Sequence, residues 1–188
     1  MHANHAFVNL FLTPGCGVEA AEVTMLCSLQ DRAEIDDLLA RYCMALDTKN
    51  WAEVPQILTE DVTWDYSEEF GTAHHGIEEV VDAIRSAIEP HPACMHAPLM
   101  TRIWSTGPDT AAGFSHVLSK SVLDGAQLPA TDRTTFEVYC SWLDEYVRTA
   151  GGWRISKRIL RVMASSGASD PWDHATPAGQ AFRRLTRA

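Results

Sequence analysis

The chain has 188 residues, of which 46% are hydrophobic and 21% charged, with a formal net charge of −10 at pH 7. A domain of this size buries roughly 70% of the surface that its unfolded chain exposes, and the composition is that of a globular protein. The charge opposes nucleic-acid binding, which depends on Lys and Arg at the phosphates, and no stretch approaches the ~20 apolar residues that cross a bilayer. We therefore predict one domain with neither nucleic acid nor membrane as a partner.

The amino terminus does not resemble a secretion signal. Its apolar run at residues 7–12 has no basic residue before it and no small-residue cleavage site after it. The five cysteines are an odd number without a C-x-x-C pair, and Cys43 falls on an apolar helical face, as a buried free thiol would. We predict a cytoplasmic protein in which residues 1–30 are an extension, with Met25 as a candidate native start.

Two helices are predicted in the next segment. Apolar residues recur at i, i+3, i+4 and i+7, which predicts a helix over about residues 31–46. The members of this stripe are Ile35, Leu38, Leu39, Tyr42, Cys43 and Leu46. Asn50 and Glu53 are spaced like a capping box and predict a second, short helix over residues 51–58.

The rest of the chain is rich in predicted strands. Alternating aromatic and β-branched residues predict a strand over residues 62–66, with Trp64 and Tyr66 on one face, and apolar periodicity predicts a helix over residues 76–88. Four further strands are predicted at residues 96–104, 111–122, 134–147 and 153–163, the last two joined by a turn at Gly151-Gly152. Helices followed by long antiparallel strands predict an α+β domain over residues 31–163, with residues 164–188 as a carboxy-terminal tail.

Four stretches resemble the SnoaL-like family of the nuclear-transport-factor-2-like (NTF2-like) superfamily. They are the helix end at residues 46–51, the strand at residues 64–66, the segment Cys94-Met95-His96 and the hairpin at residues 143–158. The resemblance covers about residues 31–163 and extends to scytalone dehydratase and hexachlorocyclohexane dehydrochlorinase. It implies a cone-shaped, curved antiparallel sheet wrapped around the amino-terminal helices. It also implies a homodimer or homotrimer formed through the open sheet face, where Tyr139 and Ile159 would suit contact.

The same resemblance implies a catalytic pair at Asp47 and His96. In both enzymes an Asp at the end of the first helix orients a His on a facing strand, and this His removes a proton from carbon while a leaving group departs. By helix geometry Asp47 lies about 40° around the helix from Cys43 and can point inward. A carboxylate that points inward at a helix carboxyl end needs a proton or a cationic partner. The pattern alone also allows Asp47 to be the N-cap of the second helix.

Substrate-binding roles are predicted for Trp64, Tyr66, Ser115, Trp142 and Arg158. Trp64 and Tyr66 match pocket aromatics of the family, and Arg158 matches a pocket arginine of the dehydrochlorinase type. Trp142 shares a strand face with two apolar residues, which core packing explains equally well. Strand alternation admits only one of Ser115 and His116 to the interior; the family register favours Ser115, and His116 is the fallback second base.

Arg158 alternates along the last strand with Leu160 and Val162, whereas the pattern puts Ile155 on the opposite face. If Arg158 faces the pocket, it needs an anion, a carbonyl or Asp47 as a partner. A solvated strand residue is the alternative.

Two features separate the chain from scytalone dehydratase itself. Leu46 stands where that enzyme has a catalytic tyrosine, and Ser115 stands about where it has a second histidine. We therefore do not expect scytalone to be the substrate.

A metal site is the main rival to the Asp47/His96 pair, because His74, His75, His91 and His96 crowd into one stretch. Their spacing matches neither H-E-x-x-H nor a finger pattern, and adjacent histidines on a strand point to opposite faces. The chain also contains no G-x-G-x-x-G, P-loop or G-x-S-x-G motif. We therefore expect no metal and no cofactor.

Together these patterns predict a cofactor-independent lyase (dehydratase) or isomerase. Its substrate would be a small ring of the kind found in secondary metabolites, deprotonated by the Asp47/His96 pair. One alternative is a polyketide cyclase or epoxide-hydrolase-like enzyme, which would need a water-activating network of carboxylates. The other is a non-catalytic ligand-binding or assembly module of the same fold, marked by a pocket too small or too apolar for chemistry.

Overall fold

A computed structural model describes residues 25–67 and 71–167, which form two α-helices and a seven-stranded sheet. The helices are α1 (Leu29–Asp47) and α2 (Ile77–Ile88). The strands are β1 (Met25–Leu26), β2 (Leu58–Tyr66), β3 (Thr72–His75), β4 (Ala93–Gly107), β5 (Thr110–Asp124), β6 (Thr134–Thr149) and β7 (Gly152–Gly167). Two short 3₁₀ helices, Val54–Gln56 and Ala130–Asp132, lie in connections.

The sheet order is β1-β4-β5-β6-β7-β2-β3. Every neighbouring pair is antiparallel except β2 and β7, which run parallel. The chain therefore builds one end of the sheet with β2 and β3 and crosses through α2 to begin β4 near the other end. The predicted α+β class with a curved, open sheet is confirmed, and the single parallel pair makes this sheet mixed.

Helix α1 supplies the predicted apolar stripe to the core. It begins at Ser28, whose Oγ accepts a hydrogen bond of 3.0 Å from the backbone N of Asp31, the usual N-cap arrangement. All six stripe residues are buried, from Ile35 at 0% exposure to Cys43 at 6%. This face packs on β4 and β7, and burial of the stripe is what holds the helix in place.

The predicted second helix over residues 51–58 is wrong in extent. Only a single 3₁₀ turn forms, at Val54–Gln56, and it has no side-chain N-cap. The backbone N–H of Asn50 instead bonds the carbonyl of Ala45 at 2.8 Å, so Asn50 closes the end of α1. Lys49, with φ of 56°, makes the left-handed turn that this closure requires.

The hairpin of β6 and β7 contains an irregularity that the alternation pattern does not predict. Tyr146 pairs with Ile155, but Glu145 pairs with Lys157, so Ser156 is an extra residue in the ladder. A bulge of this kind shifts the faces of the residues that follow it. Ile155 and Arg158 are therefore both fully buried, and the prediction that Ile155 lies on the face opposite Arg158 is wrong.

The described strands extend beyond the predicted domain limits. Strand β1, which lies in the predicted extension (residues 1–30), pairs with β4. Strand β7 continues to Gly167, past the predicted domain end at residue 163. The remaining parts of the predicted extension (1–24) and tail (168–188) lie outside the described residues. No described helix is long and apolar enough to cross a membrane. On the predicted oligomer face Tyr139 is 39% exposed and Ile159 is half-buried; the oligomer itself stays a prediction.

Candidate active site

The carboxylate of Asp47 holds His96 at two points. Asp47 Oδ1 lies 2.8 Å from the ring Nδ1 of His96, and Asp47 Oδ2 accepts a bond of 3.1 Å from its backbone N. An ionised carboxylate only accepts hydrogen bonds, so the proton of a neutral His96 ring is on Nδ1 and the lone pair is on Nε2. The His96 side chain is 8% exposed and that of Asp47 is 25% exposed. The ring is thus fixed, tautomerically defined and nearly enclosed.

The positions of both residues follow from the ends of their elements. Asp47 is the last residue of α1, and Thr48 forms its C-cap, while His96 lies three residues after the start of β4 at Ala93. The N-cap role that the pattern allowed for Asp47 is not observed, since its oxygens are bonded to His96. The unfavourable effect of the helix dipole on Asp47 is offset by two N–H donors.

Cys94 lies beside this pair. Its Sγ donates to the carbonyl of Leu46 at 3.6 Å, and burial, followed by the charge of Asp47, raises the pKa of its thiol to about 11. The donor atoms of Asp47, Cys94 and His96 all lie within 4.8 Å of one another, which is close enough for a metal ion. A metal held by all three residues would compete with the two hydrogen bonds that Asp47 accepts from His96 and would have to displace the Cys94 thiol proton. We therefore assign these atoms to proton chemistry.

The four histidines that cluster in the sequence lie in different surroundings in the fold. His74 Nδ1 lies 3.0 Å from Glu79, His75 Nδ1 lies 3.4 Å from the hydroxyl of Thr63, and His91 is buried after the end of α2. Only His96 joins the Asp47 site, and the described residues contain no cluster of histidines that could hold an ion.

A second polar cluster, built on Arg158 and Asp144, lies in the core. Arg158 is 0% exposed, and its Nε and Nη2 donate to the two Asp144 oxygens at 2.6 and 2.7 Å. Asp144 Oδ2 also accepts a bond of 3.0 Å from the hydroxyl of Tyr146. Burial alone lowers the pKa of Arg158, but the charge and hydrogen bonds of Asp144 outweigh it and raise that pKa. The partner of Arg158 is thus Asp144 and not Asp47.

Three aromatic rings surround this guanidinium. Its Cζ lies 3.8 Å from the ring centroid of Trp142, 4.6 Å from that of Tyr42 and 4.8 Å from that of Trp64. A cation over desolvated ring faces is favourable. This cluster therefore brings together three of the five predicted substrate-binding residues, which are Arg158, Trp64 and Trp142.

Tyr66 joins this group through Trp64, whose Nε1 donates to the Tyr66 hydroxyl. Burial raises the pKa of Tyr66 to about 12, against the lowering effects of the Trp64 bond and the Arg158 charge. The phenol is therefore neutral at pH 7 and can serve as a hydrogen-bond donor but not as a base.

Ser115 faces the interior and His116 does not. Ser115 is 1% exposed, pairs with Trp142 across the sheet, and has its Oγ 3.0 Å from the hydroxyl of Thr101. His116 stacks edge-on against Phe114 at 4.9 Å on the other face of β5. The structure therefore places Ser115, and not the fallback His116, among the interior residues.

The Asp47/His96 pair and the Arg158–Asp144 cluster both contribute charges that affect the buried thiol of Cys43. The thiol of Cys43 is buried, and its pKa is raised to about 12 mainly by burial; the charges of Arg158, Asp47 and Asp144 also act on it. Cys43 lies one helical turn before Asp47 on the inward face of α1. The charges of Asp47 and Arg158 are thus both close enough to affect the same buried thiol.

A groove of about 420 Å³ lies elsewhere, between α1 and the turn of β6 and β7. Gln30, Arg41, Trp153 and Arg154 are among its lining residues, and none of the predicted site residues is. Its cations are already engaged, since Arg41 bonds Glu53 and Arg154 bonds a backbone carbonyl. The groove brings no acid-base pair together, so we place the candidate site at Asp47 and His96.

Sequence patterns missed Asp144, Tyr146 and Tyr42 as members of the site. The signal for the first two was present, because Trp142, Asp144 and Tyr146 alternate on one strand face. Tyr42 was assigned only to the core stripe of α1.

Residues 28–159 match the family described as the SnoaL-like domain. A structure from Novosphingobium aromaticivorans, provisionally named an aromatic ring hydroxylase, is 25% identical, with a TM-score of 0.66 over 77% of this chain and 98% of that one. Another from that organism, provisionally named a scytalone dehydratase, is 18% identical, with a TM-score of 0.64 over 74% and 89%. A type 2 hexachlorocyclohexane dehydrochlorinase is 20% identical, with a TM-score of 0.63 over 74% and 90%.

Proposed function

The chain belongs to the SnoaL-like domain family, as its sequence resemblance predicted, and on this basis we propose that it is a cofactor-independent lyase or isomerase. Its substrate in this proposal is a small organic ring of the kind found in secondary metabolites. Two structures of the same fold carry the names of a dehydratase and a dehydrochlorinase, and both names describe removal of a leaving group.

The observation that carries the proposal is the pair of hydrogen bonds by which the Asp47 carboxylate holds His96. Because Nδ1 donates to Asp47 at 2.8 Å, Nε2 is the basic nitrogen of the ring. A nearby carboxylate also stabilises the imidazolium that forms when Nε2 takes up a proton. A fixed and enclosed imidazole with this partner is suited to remove a proton from carbon.

The proposed reaction begins when Nε2 of His96 takes a proton from a ring carbon. The C–H electron pair then moves toward an adjacent electron-withdrawing group. In a dehydration, a β-hydroxyl would take this proton back from the His96 imidazolium and leave as water. In an isomerisation, the imidazolium would return the proton to another carbon. The neutral phenol of Tyr66 and the hydroxyl of Ser115 are the proposed donors to a developing negative oxygen.

A hydrolase or cyclase that activates water through several carboxylates receives less support. Asp144 is the only buried carboxylate among the described residues, and its two oxygens already accept three bonds, from Arg158 and Tyr146. It therefore offers little to an attacking water.

The test is deuterium exchange at the carbon next to the carbonyl of one-ring and two-ring cyclic ketones in D₂O, followed by proton NMR. Exchange reports carbon deprotonation whether the enzyme is a lyase or an isomerase. We expect wild-type protein to accelerate exchange, His96→Gln to lose about 100-fold or more of that rate, and His116→Gln to keep it. His116 is the matched control because it lies on the outer face of the sheet.

Equal exchange in wild type and His96→Gln would contradict the proposal. Ketones that bind without any exchange would favour the non-catalytic ligand-binding module, since such a module needs the interior but not the base.

A further inference from the structure

One hydrogen-bond donor of the buried Arg158–Asp144 pair is unaccounted for. Nε and Nη2 of Arg158 are bonded to Asp144, whereas Nη1 is buried and has no hydrogen-bond partner among the described residues. Buried polar groups in native proteins nearly always have a partner, and an exception calls for a functional reason or a bound group. Nη1 of Arg158 is therefore a buried hydrogen-bond donor that a ligand oxygen could accept from.

The surroundings leave one direction for that acceptor. Asp144 occupies the edge that carries Nε and Nη2. The guanidinium lies over the ring faces of Tyr42, Trp64 and Trp142. Guanidinium N–H bonds lie in the plane of the group, so a ligand can reach it only in that plane, at Nη1. This geometry suits one oxygen acceptor placed in the plane of the guanidinium, next to the aromatic rings.

The charge of the region selects the kind of oxygen. Asp144 cancels the charge of Arg158, and no other Lys or Arg is buried among the described residues. Asp47 adds a further negative charge that reaches the same interior thiol, Cys43. An anionic ligand would therefore enter a dry region with no free counter-charge, which is costly. An uncharged oxygen meets no such penalty.

We propose that Nη1 of Arg158 binds one uncharged substrate oxygen, a carbonyl or hydroxyl on a flat ring, and that Asp144 is the positioning residue that orients this donor and excludes anions. The inference rests on the proposed function in that it concerns the substrate of the same interior site. When this oxygen is a carbonyl next to the carbon that His96 deprotonates, the C–H electron pair forms a C=C bond and the C=O π pair moves onto the oxygen. The bond from Nη1 strengthens as that charge develops.

The experiment measures binding of three ring compounds of similar size by ligand-observed NMR titration at pH 7. Acetophenone carries a neutral carbonyl, benzoate carries a charge, and ethylbenzene carries no acceptor. We expect wild-type protein to bind acetophenone at least about tenfold more tightly than either of the others, as one hydrogen bond and one excluded charge predict.

The variants separate positioning from simple packing. Asp144→Asn leaves the guanidinium charge uncancelled, so the preference for acetophenone over benzoate should fall by about tenfold or reverse. Arg158→Gln should remove the preference for acetophenone over ethylbenzene. His116→Gln changes only the outer face of β5, where His116 packs on Phe114, and it should retain the wild-type order. Circular dichroism verifies that each variant is folded.

Ethylbenzene binding as tightly as acetophenone to wild-type protein would overturn the proposal, because the aromatic rings would then be the only partners of Nη1. Benzoate binding most tightly would overturn it as well. The wild-type order alone decides the matter if the Asp144 and Arg158 variants do not fold. His96→Gln should keep the binding order even though it loses exchange, so failure of the proposed catalysis and failure of this inference are distinguishable.

Discussion

Asp47 binds both the ring and the backbone of His96, with Oδ1 2.8 Å from Nδ1 and Oδ2 3.1 Å from the backbone N. The ring contact sets the tautomer, and the backbone contact fixes the carboxylate relative to the first residues of β4. One side chain thus ties the end of α1 to the strand that carries the base. The same contacts explain why removing Asp47 should alter the chemistry of His96 while leaving the core untouched.

The first prediction concerns Asp47→Asn. An Asn side chain is uncharged, so it neither stabilises the imidazolium nor fixes the proton on Nδ1. We expect carbon exchange to fall by about 100-fold or more, and nitrogen-15 NMR of the His96 ring to show a loss of the single Nδ1–H tautomer. Thr48→Ala is the control, because it removes only the hydroxyl bond to the carbonyl of Met44. Unchanged exchange and tautomer in Asp47→Asn would show that the pair is structural.

The second prediction concerns the Cys94 thiol, whose pKa is raised to about 11 by burial and then by the negative charge of Asp47. A negative neighbour disfavours the thiolate, so removing the charge in Asp47→Asn should lower the pKa of Cys94. Alkylation of Cys94 between pH 8 and about 10 should then be faster than in wild type. Mass spectrometry of the peptides compares it with the more buried Cys43. A pKa that stays unchanged or rises in Asp47→Asn would contradict the arrangement.

A third prediction concerns the stability of the Asp144–Arg158 pair. Removing one member of a buried ion pair leaves the other charge unpaired, which typically costs about 3–5 kcal/mol. We expect Asp144→Leu and Arg158→Met each to lower the free energy of unfolding by about this amount. The double variant should be more stable than either single one, because no charge is left in the core. Urea denaturation measures all three, and additive losses in the double variant would count against a coupled pair.

The fourth prediction concerns Gly113, which faces the same cluster. A Cβ at this position would lie 3.0 Å from both Cε2 and the hydroxyl of Tyr146, and 3.4 Å from the carbonyl of Arg102. Overpacking of this kind costs about 1–3 kcal/mol, so Gly113→Ala should destabilise the protein and disturb the bond from Tyr146 to Asp144. In a Tyr146→Phe background the cost should be smaller, since one of the close atoms is gone. An equal cost in both backgrounds would show that the strain lies in the backbone instead.

Local patterns were sufficient for most of the elements. The apolar stripe of α1 and the alternation in β2 were predicted because burial of one face repeats with the period of the element, and that period is visible in a short window. The failure at residues 51–58 was also local in origin. A capping-box spacing was present, but the backbone of Asn50 was already committed to closing α1. Asn50 could either cap a following helix or close α1, and only its hydrogen bond to the carbonyl of Ala45 distinguishes the two roles.

Asp47 and His96 are 49 positions apart, and no periodicity links a helix end to a distant strand. Their pairing was therefore predicted only from the resemblance to a family. The sequence by itself determined the two long helices, most strands and the class of fold. The tertiary structure decided the partners. A regular ladder continued from Tyr146 and Ile155 would have paired Asp144 with Lys157, but the extra residue Ser156 pairs it with Arg158. Register depends on where a strand bulges when its two faces pack, and that choice is made by the whole core rather than by neighbouring residues.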